Sequence, residues 1–242
     1  MDSSVYIILS RQMAQFEDMS VTANNIANAN TTGYDAQKLV FSQYLVDSGN
    51  KTKDAYANDP STYRDTSNGP VQMTNNPFDL AISGHGYFQV ETPLGTRYTK
   101  AGNFQMGPEG VLVNNSGYPV LGADGSQITI PPGSKKVDIN GIGQIIADGQ
   151  NVGQVGVVEF SDEQGLTRLG NSLYDSKTAP QPALTARVTQ GALEGSNVSG
   201  VTELVRVMDI SRSVANTAKF MQTMYDLESK VSSTMTHTKS SA

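Results

Sequence analysis

Few residues of this 242-residue chain have the types and spacing that catalysis or metal binding requires. The only histidines are His85, between two glycines, and His237, in a polar tail, and cysteine is absent. Two separated imidazoles are too few for a His-rich metal site or an array of general bases. Without cysteine, no disulfide or thiolate nucleophile can form. We therefore predict no enzyme activity, no catalytic residue, no bound cofactor and no metal site.

Two short patterns formally match functional motifs. Ser48 and Lys51 have Ser-x-x-Lys spacing, but they lie in a polar stretch typical of a loop, and no partner motif follows. Gly84-His85-Gly86 lacks the third glycine of a dinucleotide-binding turn, because Gln89 stands in that position. Carboxylates distant in sequence could still meet in the fold, so an enzyme that cuts cell wall stays open as a weaker alternative.

Charge and hydropathy limit the partners. The net charge is -6 and no basic run is present, which argues against nucleic-acid binding. No apolar run approaches the ~20 residues of a membrane helix, so we expect no membrane insertion. The first residues lack the basic region and the apolar length of a secretory signal, so we expect any export to proceed without a cleaved signal peptide.

Apolar residues at both ends of the chain have helical spacing. The first predicted helix runs from residue 3 to about residue 30, and Leu9, Met13 and Phe16 lie on its apolar stripe. The second runs from residue 201 to about residue 235 and has two apolar stripes, so one partner helix cannot cover it and neighbouring subunits are the simplest cover. Its predicted packing residues are Leu204, Val207, Met208, Ile210, Val214, Ala215, Ala218, Met221 and Met224.

An asparagine-rich stretch ends the first helix. Asparagine is a poor helix-interior residue, so we expect these carboxamides to hydrogen-bond a partner helix or an adjacent loop. Gly33 suits the left-handed position that closes a helix, with Tyr34 packing back on the last turn; a frayed helix end is the simpler alternative. The residues assigned to this motif and to subunit packing are Ala23, Asn24, Asn25, Ile26, Ala27, Asn28, Asn30, Thr31, Thr32, Gly33 and Tyr34.

Short apolar runs separated by Gly, Asn and Asp turns predict a compact antiparallel β domain in the middle of the chain. The predicted organisation is an N-terminal helix (1–34), an extended connector (35–77), a central all-β domain (78–178), a second connector (179–200) and a C-terminal helix (201–242). The predicted fold class is α+β, with the two long terminal helices pairing as a coiled-coil-like core.

The run ANNIANANTTGYDAQ resembles the N-terminal signature of the bacterial flagellar rod and hook family, the axial proteins of the basal body. RYTKAGNFQ and GYPVLG in the middle, and GALEGSNV before the second helix, resemble the family too. At Gly200 the family often has proline, so the chain departs from the pattern there. Together these matches span nearly the whole chain.

The resemblance implies a structural subunit of the rod, proximal or, as the nearest alternative, distal, and not the longer hook protein. Its terminal helices would polymerise into a hollow, torque-transmitting drive shaft that spans the periplasm. The implied partners are copies of itself, other rod proteins and the flagellar type III export apparatus. A second class of function stays open: a β domain on a helical stalk that binds glycan or peptide.

Overall fold

The structure is a computed structural model that describes residues 2–47 and 53–239, with side chains described for 8–40, 61–227 and 229–231. These residues form helix α1 (Asp2–Ala27), helix α2 (Gly200–Lys239) and strands between them. The strands are β1 (Gln37–Asp47), β2 (Lys53–Arg64), β3 (Val71–Met73), β4 (Leu80–Ser83), β5 (Tyr87–Thr92), β6 (Gly95–Thr99), β7 (Phe104–Met106), β8 (Leu112–Asn114), β9 (Val137–Ile139), β10 (Gln144–Ala147), β11 (Gln150–Gln154), β12 (Val157–Glu159), β13 (Thr167–Arg168), β14 (Tyr174–Asp175), β15 (Gln181–Pro182), β16 (Arg187–Gln190) and β17 (Ala192–Glu194).

The distribution of glycine and proline explains why the helices lie at the two ends. All 23 glycines and all 10 prolines fall between Gly33 and Gly200. Both residue types disfavour helix interiors, glycine through backbone entropy and proline through its missing N–H. The terminal segments therefore form long helices, whereas the middle is divided into short strands and turns.

The predicted fold class is wrong. The described residues are mostly β, with two helices only, and these do not form a coiled-coil core. Polar side chains connect the two helices: Arg206 Nη2 donates to Asp18 Oδ1 at 2.7 Å, and Gln15 Nε2 donates to Ser213 Oγ at 2.6 Å. A coiled coil needs an apolar seam between its helices, and here many apolar side chains point away from the partner helix.

The chain divides into two compact units. The first comprises Met1–Ile26, Gln37–Tyr63 and Ser199–Ala242, and its described residues include both helices and a two-stranded sheet of β1 and β2. The stretch read from sequence as an extended connector therefore contains two long strands. Ser48 and Lys51, the formal Ser-x-x-Lys match, lie outside the described residues.

The second unit comprises Ala27–Ala36 and Arg64–Val198. A six-stranded sheet has the order β13-β14-β6-β5-β12-β15, a three-stranded sheet the order β11-β10-β9, and the remaining strands pair as β16-β4, β17-β3 and β7-β8. These ladders are antiparallel; in β5 and β6, for example, Phe88 pairs with Thr99 and Thr92 with Gly95.

Strand β5 separates two apolar clusters of the second unit. Phe88 and Val90 join the larger cluster with Leu80, Leu112 and other buried residues. Tyr87, adjacent in sequence and therefore on the opposite face of the strand, joins a smaller aromatic cluster around Phe160 and Tyr174. The β-rich unit is thus buried on both faces of its central strand.

Neither α1 nor α2, over the residues that the structure describes, has an apolar stretch long enough to cross a lipid bilayer.

Candidate functional site

Helix α1 exposes its apolar stripe. Leu9, Met13 and Phe16 are 46%, 66% and 54% exposed, and Ala23 and Ala27, at continuing helical spacing, are exposed as well. In a helix that packs by its apolar face, these residues would be the buried ones.

The buried positions of α1 are largely polar. Of the three buried residues among the described side chains of α1, Thr22 and Asn25 are polar and Val21 is apolar, and the half-buried Gln15 and Asp18 bond to α2. Asn25 exchanges two hydrogen bonds with the backbone of Gln37: its Nδ2 donates to the carbonyl oxygen at 2.8 Å and its Oδ1 accepts from the N–H at 2.9 Å. The helix therefore uses polar groups to hold its own chain and leaves its apolar stripe uncovered.

The packing residues predicted on α2 fall on two faces. Leu204 and Met208 are 53% and 51% exposed, and Ala215 and Ala218 lie on the same exposed face. Ile210 is buried, and its neighbours along the helix are half-buried, namely Val207, Val214, Met221 and Met224. We call the exposed stripes, Leu9, Met13, Phe16, Ala23 and Ala27 on α1 with Leu204, Met208, Ala215 and Ala218 on α2, the outward faces.

The asparagine-rich motif divides between the two units. Asn24 is exposed and Ile26 half-buried in the first unit; in the second, Asn30 is exposed, and Asn28, Thr31 and Thr32 are half-buried. Thr31 Oγ1 donates to Asn28 Oδ1 at 3.2 Å. The Asn25 carboxamide, as described above, bonds the backbone of the adjacent segment at Gln37.

Gly33 does not close α1, because the helix ends six residues earlier at Ala27. Its φ is +63° and its N–H donates to the Glu194 carbonyl oxygen at 2.9 Å. A Cβ at this position would lie 2.6 Å from the Ala101 nitrogen, so only glycine allows the segment to approach this loop. The same approach buries Tyr34.

A buried ion pair follows the motif. Lys100 Nζ lies 3.0 Å from Asp35 Oδ1, and both side chains are 3% exposed. Tyr174 OH donates to Asp35 Oδ2 at 3.3 Å, and Arg168 Nη2 donates to the Asp35 carbonyl oxygen at 2.6 Å. The Arg168 guanidinium also lies 4.2 Å from the centre of the Tyr34 ring. These bonds hold Tyr34 and Asp35 within the β-rich unit.

Glu194 adds a second carboxylate beside this pair. It is 3% exposed, and Gly69 N–H donates to its Oε1 at 3.0 Å. Burial raises the pKa of Glu194 and nearby Asp35 raises it further, whereas Lys100 and the Gly69 hydrogen bond lower it. The net direction is upward, so this carboxyl holds its proton more tightly than an exposed glutamate.

Asn197, in the segment before α2, bonds to the backbone next to Asp35. Its Oδ1 accepts from Ala36 N–H at 2.7 Å, and its Nδ2 donates to the carbonyl oxygens of Asp65 and Ser67 at 2.7 and 2.9 Å. We call the set Asp35, Lys100, Arg168, Glu194 and Asn197 the anchor. Sequence reasoning did not single these residues out, although Asp35 lies in the signature run and Lys100 in RYTKAGNFQ.

The groups considered for catalysis do not form a site among the described residues. His85 Nδ1 lies 3.1 Å from Glu163 Oε1, but the His85 side chain is 69% exposed on the surface. The described residues hold no group of His, Asp and Glu that could bind a metal ion. His237 lies in α2, and its side chain is outside the described part of the structure.

Three family models match successive parts of the chain: the flagella basal body rod protein model at residues 6–34, the flagellar hook protein FlgE/F/G D1 domain at 81–147, and the flagellar basal body rod FlgEFG protein C-terminal model at 189–234. The chain is also 38% identical to the flagellar basal-body rod protein FlgF of Caulobacter vibrioides, over 94% of this chain and 95% of that protein. The chain belongs to the flagellar basal-body rod family.

Other members of the rod family match over similar lengths. FlgF of Mesorhizobium japonicum is 34% identical over 92% of this chain and 93% of its own length. The rod protein FlgG of Bacillus subtilis is 33% identical over 85% of this chain and 88% of its own. The resemblance found in the signature run is thus confirmed, and the first family model ends at Tyr34, within the segment held by the anchor.

Proposed function

We propose that this chain is a structural subunit of the flagellar basal-body rod and no enzyme, and that it polymerises with copies of itself and other rod proteins through its outward faces. The observation that carries the proposal is the placement of side chains on α1. The helix bonds the rest of its own chain through polar groups and exposes the apolar residues Leu9, Met13 and Phe16. A monomer that worked alone would bury these side chains.

The size of the outward faces favours many weak contacts. Full burial of one large apolar side chain contributes roughly 1.5–3 kcal/mol, so the half-exposed residues of one contact contribute several kcal/mol in total. Association costs an estimated ~4–15 kcal/mol in lost freedom. One pairwise contact is therefore marginal, and a subunit held by several neighbours at once is stable.

Contacts between different surfaces of neighbouring copies generate helical polymers when the rotation between the copies does not close into a ring. A helical polymer built from the terminal helices would form the hollow shaft that transmits torque. We place the subunit in the proximal rod, because the chain resembles FlgF, with the distal rod as the alternative, because FlgG proteins match over similar lengths. Export through the flagellar type III apparatus, without a cleaved signal peptide, would bring it to the periplasm-spanning rod.

The test is the variant Ala27→Asp in a strain that carries no other copy of the protein. Ala27 lies on the outward face of α1, and a carboxylate buried there between subunits would cost several kcal/mol. We expect no rod incorporation and no swimming. The purified variant should unfold with a free energy within about 1 kcal/mol of the parent, because the residue is exposed in the subunit.

Ala27→Ser is the matched control, since it keeps a small side chain and adds no charge; this strain should swim. Normal swimming of the Ala27→Asp strain would contradict the proposal.

A further inference from the structure

An uncharged pocket of about 490 Å³ opens on the surface of the second unit. Four segments line it: motif residues 30–32, the loop after β6, the turn after β8 and the turn between β13 and β14. Five carboxamides, those of Asn30, Asn103, Asn114, Asn115 and Asn171, contribute to its wall, and no ionisable side chain and no aromatic ring does.

Most of these carboxamides have unused hydrogen-bonding capacity. Asn114 Oδ1 accepts from the N–H groups of Ser116 and Tyr118 at 3.0 and 2.9 Å. The side chains of Asn30, Asn103, Asn115 and Asn171 make no hydrogen bond to any described residue. Each can offer two donors and an acceptor to a ligand.

The chemistry of the wall selects an uncharged, amide-rich ligand. An ionised group would lose hydration and find no counter-charge in the pocket. A sugar ring would find no aromatic face on which to lie. A peptide segment, by contrast, brings backbone and side-chain amides whose donors and acceptors match those of asparagine.

Residues 71–77 of the same sequence form an uncharged, exposed segment of the kind that this pocket could bind. The segment VQMTNNP is uncharged, and every one of its residues is exposed, with Val71 and Met73 at 48% and 67%. Strand β3 within it pairs with β17 only among the described strands, so one edge of its backbone has no strand partner. Unpaired strand edges are sites of pairing with other chains.

We propose that the pocket binds residues 71–77 of a second copy of this chain. The pocket and the segment share no residue, so each bound copy leaves its own pocket free for the next. Such a contact can therefore join successive copies, into a ring if the rotation between neighbours closes and into an open helical polymer if it does not. The inference rests on the proposed polymerisation and names one of its contacts outside the helices.

The absence of native cysteine allows a direct cross-linking test with the full chain. Asn115→Cys places a thiol at the pocket and Met73→Cys places one on the segment. The two purified variants are mixed under mild oxidation, and heterodimers are counted by mass spectrometry. A disulfide requires Cα atoms about 4.4–6.8 Å apart, so it reports the specific contact. Leu94→Cys, 80% exposed on the turn between β5 and β6, replaces Met73→Cys in the control mixture.

We expect the mixture of Asn115→Cys and Met73→Cys to give at least about tenfold more heterodimer than the control, because a bound segment raises the local thiol concentration. Adding Ser116→Arg to the Asn115→Cys chain should reduce the yield to the control level by filling the pocket with a charged side chain. Equal yields from the two mixtures would overturn the proposal. It would also be overturned if N-acetylglucosamine oligomers shifted the resonances of the pocket amides and residues 71–77 did not compete with them.

Sedimentation of the parent chain separates this inference from the proposed function. If polymers form but the two mixtures cross-link equally, the pocket contact is wrong and the rod proposal stands. If the specific heterodimer forms and Ala27→Asp leaves polymer formation by the purified chain unchanged, the pocket contact stands and polymerisation through the outward faces is wrong.

Discussion

The ion pair between Asp35 and Lys100 shows how single residues fix the segment around Asp35 within the β-rich unit. Both charges are almost fully removed from water, and Tyr174 and Arg168 bond to the same aspartate. A buried pair of this kind adds little net stability compared with an apolar pair, but losing one partner leaves an uncompensated charge. The position of the segment is therefore sensitive to each member of the pair.

Lys100→Met tests this sensitivity. We expect it to lower the free energy of unfolding by about 3–5 kcal/mol, because Asp35 and Glu194 lose their shared cation. Urea denaturation followed by tyrosine fluorescence measures the change. The control, Lys136→Met, removes an exposed pair with Asp138 and should cost less than about 1 kcal/mol. Equal losses in the two variants would contradict a special role for the buried pair.

Glu194 makes stability depend on pH. Its pKa in the folded chain lies above the ordinary 4.5, so the folded state binds its proton more tightly than the unfolded state. Its stabilising contribution is complete below about pH 4.5 and is lost as the pH rises through the folded pKa.

Glu194→Gln removes this titration and keeps an oxygen for the Gly69 hydrogen bond. We expect the stability of this variant, relative to the parent, to increase as the pH rises from 4.5 toward neutrality. Unfolding free energies of both proteins between pH 4.5 and 8 measure the difference. Parallel curves would show that Glu194 does not titrate differently in the two states.

Among the elements, β4 and the loop after β6 pack backbone against backbone at Gly102. Leu80 N–H donates to the Gly102 carbonyl oxygen at 2.9 Å, and a Cβ on Gly102 would overlap the Leu80 carbonyl oxygen. We expect Gly102→Ala to destabilise the chain by about 3 kcal/mol, because neither strand can move away from the buried cluster around Phe88.

Gly170→Ala is the matched control, since a Cβ there would meet no atom within 4 Å. It should leave the free energy of unfolding within about 1 kcal/mol of the parent. Thermal unfolding of both variants measures the contrast, and a mild effect at Gly102 would mean that the loop is less tightly packed than the structure shows.

The elements also show which features the sequence predicts. Helical spacing located both helices, because periodicity is a local signal and no glycine or proline interrupts either end. The anchor was not predicted, because Asp35, Lys100 and Glu194 are far apart in sequence and only the fold brings them together. The coiled-coil core was wrongly expected, because an apolar stripe does not reveal which face of a helix its own chain covers.

At the scale of the whole molecule, polar groups hold Asp35 and Asn197 within the β-rich unit, while the apolar faces of the two helices remain exposed. Polar anchoring leaves the outward faces available for other copies. This combination suits a subunit whose helices complete their burial only in an assembly, and the low charged fraction of 17% limits repulsion between packed copies.

The central claim, that neighbouring subunits cover the outward faces, is tested most directly by thiol labelling of Met13→Cys. Met13 is 66% exposed in the subunit, and the parent chain has no cysteine. A maleimide reagent is applied to the purified variant, to isolated basal bodies that contain it, and to the same basal bodies after dissociation in urea. We predict rapid labelling of the free and dissociated protein and at least about tenfold slower labelling in the assembled rod, where the face is buried. Equally rapid labelling in intact basal bodies would contradict the account.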